Sequence, residues 1–102
     1  MRHSIGNEKI KELKRKAHSL EPVVRLGKNG LTDKAIQEID KNLNKQELLK
    51  IRLLRSLDLE GNERKRFAEI VSEKTGSILI GLIGSVLILY RQKSAKKGPR
   101  PK

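Results

Sequence analysis

The sequence has no cysteine and no tryptophan, and only one phenylalanine and one tyrosine. Without cysteine there is no disulfide framework, no thiolate metal site and no cysteine nucleophile. Small secreted domains usually need such cross-links, so their absence favours a reducing, cytoplasmic location. The two aromatics, Phe67 and Tyr90, fall at apolar-pattern positions and are expected in the core. Base stacking on an aromatic sheet, in the manner of an RRM, is therefore disfavoured. Acids are also scarce: 12 Asp and Glu stand against 24 Lys and Arg, a net charge of +12. Such an excess attracts polyanions, and it differs from the sign-balanced ion-pair networks of a thermophile surface. Nucleic acid or an anionic membrane is the partner it suits.

Long apolar runs are missing. The one extended stretch, Ser77–Tyr90, has 14 residues without a charge, whereas a membrane-spanning helix needs about 20. Gly84-Ser85 interrupts it where a two-residue hairpin turn would sit. The stretch is read as two strands, 78–83 and 86–91, so no membrane partner is expected. The polar start, Met1 to Asn7, carries no signal-peptide pattern. The 102 residues fit one domain, which can bury about 60–65% of its unfolded surface.

Ile10, Leu13, Ala17 and Leu20 form one helical stripe over 7–20, ended by Pro22. The opposite face carries Lys11, Arg15 and His18, with Lys14 beside them. Val23 to Leu26 reads as a short strand. A helix follows from the N-cap Thr32 to about Asn44, with Leu31, Ala35, Ile36, Ile39 and Leu43 inward. Residues 47–54 alternate: Leu49, Ile51 and Leu53 point one way, Lys50 and Arg52 the other, a half-buried strand. A third helix runs from Gly61-Asn62 to the C′ glycine Gly76, with Phe67, Ala68, Ile70 and Val71 as its apolar positions. The order α-β-α-β-α-β-β gives a mixed α/β single domain with a four-stranded sheet. Residues 1–6 are expected to be a flexible N-terminus, 7–92 the domain, and 93–102 a disordered basic tail. From Arg91 to Lys102 there are six cations and no acid.

The sharpest chemistry lies in Gly27-Lys28-Asn29-Gly30, between a strand and a helix. Unpaired amides and the positive dipole end there favour a phosphate oxygen, and the glycines let a nucleic-acid backbone approach. The G-x-x-G spacing is that of the backbone-clamping loop of KH domains. Lys28 adds a cation and Lys34 lies one turn further on, while Asp33 competes for the same amides. Arg64, Lys65 and Arg66 crowd the start of the third helix, against its dipole, unless Glu63 and Glu69 neutralise them. Lys34, Glu38, Lys41 and Lys45 make a further face on which Lys34–Glu38 pairing is expected. His3 and His18 have no partner residues for a metal or catalytic set. No cofactor, no small-molecule substrate and no enzymatic activity are expected.

Leu13-Lys14-Arg15-Lys16-Ala17-His18, Pro22-Val23-Val24, Leu26-Gly27-Lys28-Asn29-Gly30-Leu31-Thr32 and the closing Ile83-Gly84 with Leu87-Ile88-Leu89-Tyr90-Arg91 resemble the CRM domain (chloroplast RNA splicing and ribosome maturation) in its stand-alone, YhbY-like form. The resemblance covers about residues 7–92. It implies a domain shaped like the C-terminal domain of a bacterial translation initiation factor, binding structured RNA, with stand-alone members on precursors of the large ribosomal subunit. It places the family's glycine loop on Gly27, Lys28, Asn29 and Gly30, and its basic first helix on Lys11, Lys14, Arg15 and His18. Many members carry a cation just after the glycine of the last hairpin; here that residue is Ser85. The expected function is RNA binding by a monomer, through the glycine loop and the basic helix faces, during large-subunit assembly. The alternatives are a general double-stranded nucleic-acid binder and a peripheral membrane protein using 77–90 and the tail.

Overall fold

A computed structural model describes residues 6–92, so the expectations for the first residues and for 93–102 lie outside the described residues, apart from Gly6. In chain order the elements are α1 (Asn7–Ala17), β1 (Val24–Leu26), α2 (Asp33–Lys45), β2 (Leu48–Leu53), a 3₁₀ turn (Arg55–Leu57), α3 (Gly61–Thr75), β3 (Ile78–Ile83) and β4 (Val86–Tyr90). The sheet order is β1-β2-β4-β3. β1 pairs parallel to β2 across the α2 crossover, and β4 pairs antiparallel to both β2 and β3. This is the mixed four-stranded α+β domain that the residue pattern predicts.

Local chemistry sets the element ends. The Thr32 hydroxyl accepts the Ala35 amide and caps α2. Gly76 ends α3 in the left-handed region, at φ 62°, and Gly84 turns the β3–β4 hairpin at φ 60°; both conformations favour glycine. α1 is shorter than its apolar stripe suggests. After Ala17 the amides of His18, Ser19 and Leu20 bond three residues back, to Arg15, Lys16 and Ala17. That tightening winds the helix down before Pro22.

Two apolar layers cover the sheet, one on each face. On one face α2 and α3 bury Val24, Leu26, Leu49, Ile51, Leu53, Leu87 and Leu89 beneath Ile39, Leu43, Ala68 and Val71. Each fully buried Leu or Ile there contributes about 1.5–3 kcal/mol. On the other face Leu13 and Ala17 of α1 close over Leu48, Ile80, Ile88 and Tyr90. β2 is therefore buried on both sides at its start, a correction to the half-buried expectation: Leu48, on the side of Lys50 and Arg52, lies under α1. Ile70, among the apolar positions of α3, does not face the core. It is 37% exposed, because α3 turns Ala68, Val71, Ser72 and Thr75 inward. The two hydroxyls are satisfied by carbonyls of their own helix, Ser72 on Glu69 and Thr75 on Val71.

Arg91 belongs to the fold and not to a phosphate-binding tail. Its guanidinium donates to Asp40, Asn44 and the Thr75 carbonyl. Tyr90 is buried, with the Lys9 Nζ 5.9 Å from its ring centroid. Burial, then the Glu47 and Glu12 carboxylates, push its phenol above the ordinary 10.0. The raised value means that the fold favours the neutral phenol. Its contribution is fully present below pH about 10 and is lost as pH rises through the raised value. Chemical denaturation from about pH 9 to 12 should show a shallower stability loss in Tyr90→Phe than in the parent.

Candidate nucleic-acid interface

The glycine loop leaves the end of β1 as a tight turn, closed by the Gly30 amide donating to the Gly27 carbonyl at 2.7 Å. Gly30 has φ +68° and open space where a Cβ would stand. Gly27 is held closely instead, since a Cβ would lie 2.7 Å from the Ser56 Oγ. That hydroxyl accepts the Lys28 amide at 3.1 Å. The Lys28, Gly30 and Ala35 amides are thus engaged, while those of Asn29, Leu31, Asp33 and Lys34 have no partner among the described residues. These free donors stand at the positive end of the α2 dipole, where an anion is favoured. Lys28, Asn29, Asp33 and Lys34 are all exposed around it. Lys34 makes no pair with Glu38, contrary to the expected pairing, and is left free for an external anion.

Three loops meet at this end of the sheet. Leu54 donates its amide to the Leu26 carbonyl, Leu53 donates to Ser85, and the Lys28–Ser56 bond links the glycine loop to the 3₁₀ turn. Arg64 reaches over from α3 to the Gly84 carbonyl at 3.4 Å. A cation therefore arrives at the last hairpin from another element, although position 85 is serine. Arg64, Lys65 and Arg66 make no ion pair among the described residues. Glu63 is occupied elsewhere, accepting the Glu60 amide in a capping box.

α1 covers only part of its face of the sheet. Register aligns Arg25 with Arg52, Arg52 with Val86, and Val86 with Ile83, in one row across all four strands. This row lies beside the glycine loop and outside the α1 cluster: Arg25 and Arg52 are exposed, and Ile83 is 59% exposed. Between it and α1 runs a cleft of about 240 Å³ lined by Lys14, Ala17, His18, Lys50, Ile83, Val86 and Ile88. Lys14 lies along Gly81, where an added Cβ would come 3.1 Å from its Cε. Lys50 donates to the Leu20 carbonyl at 3.1 Å. Lys11 and Arg15 are exposed on the outer side of α1. The structure thus brings Lys14 and His18 to the cleft, gathers Gly27–Gly30 and Lys34 at the neighbouring loop, and leaves Lys11 and Arg15 exposed on α1 outside the cleft lining. A larger cavity of about 400 Å³ lies at the other end of the sheet, by Leu48, Glu47 and Tyr90. It is remote from the loop and includes an acid. No group of His and acidic side chains that could hold a metal occurs among the described residues, and none of their helices is long and apolar enough to cross a membrane.

Residues 5–91 match the CRS1/YhbY (CRM) domain. The chain belongs to this family. Within the CRM family it is 32% identical over 85 residues to Bacillus subtilis YqeI, named a probable RNA-binding protein, with 83% of this chain and 85% of that one covered. It is 33% identical over 90 residues to a Haemophilus influenzae protein named an RNA-binding protein, with 88% of each covered. The solution structure of the hypothetical protein SAV1595 from Staphylococcus aureus superposes with a TM-score of 0.75 at 31% identity, covering 87% of this chain and 90% of that one.

Against the CRM residues expected from sequence, the structure adds Arg25, Lys50, Arg52 and Arg64 to the same end of the molecule. The alternation of β2 already turned Lys50 and Arg52 away from the core. Only the strand order shows that Arg25 stands beside Arg52, and that α1 stops short of both.

Proposed function

We propose that this protein binds RNA through the glycine loop and the adjoining basic end of the sheet, without enzymatic activity, as a cytoplasmic monomer. The carrying observation is an acid-free row and cleft on one face of the sheet, Arg25 and Arg52 in the row and Lys14 and Lys50 at the cleft, next to a loop with free backbone amides at the N-terminus of α2. The amides and Lys28 take phosphate oxygens by charge-assisted hydrogen bonds, and the surrounding cations neutralise neighbouring phosphates with release of counterions. The names of its relatives support RNA as the polyanion. The sequence resemblance supports ribosomal RNA, during large-subunit assembly, as the target. Crosslinking in cells followed by sequencing of the bound RNA tests the target.

The surface itself is tested by salt dependence. Arg25→Ala/Arg52→Ala removes two phosphate contacts, so the slope of log K against log salt should flatten by about 1.4–1.8. At moderate salt the affinity should fall about tenfold. Both arginines are exposed, so the melting temperature should stay close to the parent value. An unchanged slope would move the interface off this face of the sheet.

A further inference from the structure

The cleft beneath α1 has a floor unlike its rim. Its rim carries the cations Lys14 and Lys50 beside His18, while Ile83, Val86 and Ile88 form an apolar floor. No acid lines it. Ile83 is the most exposed of the exposed large hydrophobics among the described residues. Phosphate binding alone needs no apolar surface, and a hairpin end chosen for solubility would carry a polar side chain there. We infer that the cleft receives one unpaired nucleotide of the bound RNA, its base lying on Ile83, Val86 and Ile88 and its phosphates meeting Lys14, Lys50 and the glycine loop.

Three further observations fit this occupant. Strands lie about 4.8 Å apart, so the floor on β4 stands roughly 10 Å across the sheet from β1, where the glycine loop begins. One short RNA segment can engage both. The volume, about 240 Å³, falls below the roughly 300–1,000 Å³ typical of pockets for drug-sized ligands, which suits a single base. Gly81 leaves room for the end of the Lys14 side chain, whose Cε and Nζ would lie 3.1 and 3.8 Å from an added Cβ, so its ammonium reaches the β3 side of the cleft. Sequence-selective RNA recognition generally uses such extruded bases, because the major groove of an A-form helix is too deep and narrow to read.

This inference rests on the RNA-binding reading and is tested separately from it. Two RNA hairpins of equal length, one fully paired and one with a single bulged 4-thiouridine, are titrated against the full chain. The parent should prefer the bulged RNA about tenfold, at the low end of what one apolar group in a pocket discriminates. Irradiation should crosslink the thiouridine to a peptide containing residues 83–88 or His18. In Ile83→Ser the preference should drop towards one while the salt slope is unchanged, since no charge is removed. Val86→Thr, nearly isosteric, is the second variant, and melting temperatures are taken on all samples. Equal binding of both RNAs with crosslinks only outside the cleft would overturn the inference and leave the RNA-binding reading standing. Binding of neither RNA would overturn both. Loss of sedimentation with anionic phospholipid vesicles in Ile83→Ser, without any RNA preference in the parent, would assign the cleft to lipid and also overturn it.

Discussion

Gly30→Asp is expected to weaken RNA binding by roughly 30–150-fold, the equivalent of ~2–3 kcal/mol. The added carboxylate would stand at the open side of Gly30, where nothing lies within 4 Å of the Cβ position. There it would stand near the free Asn29 and Leu31 amides and the positive end of the α2 dipole, which the proposed binding mode assigns to a phosphate. It therefore adds repulsion and occupies the approach of the RNA backbone. Lys28→Ala removes only one charge-assisted contact from an exposed site and should cost about 5–30-fold. Strain is separable from charge. At φ +68° any Cβ costs about 1–2 kcal/mol of conformational energy. Gly30→Ala measures that strain, and Gly30→Asn, better tolerated in the left-handed region, relieves part of it. A folded Gly30→Asp protein that binds RNA like the parent at moderate salt would reduce the loop to a turn.

Gly27 is a different test, and sequence alone does not tell the two glycines apart. Both bracket the same four residues, yet one faces solvent and the other faces Ser56. Short-range chemistry was readable throughout: Thr32 as a cap, Gly76 as a helix stop, Gly84 as a hairpin turn, and the alternation of β2. Each depends on residues within a few positions. What the sequence could not show depends on strand order and on where α1 lies. Leu48 becomes buried because α1 crosses its face, and Arg25 joins the basic end of the sheet because β1 pairs beside Arg52. The inward face of α3 is not its apolar positions alone, because Ser72 and Thr75, polar by type, satisfy themselves within the helix and so can be buried while Ile70 stays outside.

Arg91 shows how charge count alone misleads, and its replacement should have a larger effect on stability than that of any other cation considered above. The sequence groups it with the basic residues that follow. In the fold its Nη1 donates to the Asp40 Oδ1 at 2.7 Å and to the Thr75 carbonyl at 2.8 Å. Its Nη2 donates to the Asn44 Oδ1 at 2.9 Å and to the Asp40 carbonyl at 3.2 Å. One side chain thereby ties the end of β4 to α2 and to the last residue of α3, where a cation also opposes the negative end of the helix dipole. The ion pair itself is half exposed on the Asp40 side, so screening leaves it under about 1 kcal/mol. The shared hydrogen bonds carry more, because the guanidinium fork meets several acceptors at once. Arg91→Ala should therefore lower stability by about 2 kcal/mol, seen as a fall in melting temperature of roughly 8–16 °C for a domain of this size. Arg91→Lys should recover less than half, since a single ammonium cannot reproduce the fork. Asp40→Asn, which keeps an acceptor and removes the charge, should cost under about 1 kcal/mol. The salt slope of RNA binding should stay at the parent value in Arg91→Ala. A flattened slope with an unchanged melting temperature would instead make Arg91 a phosphate contact and refute its role as the tie between the two helices and the sheet.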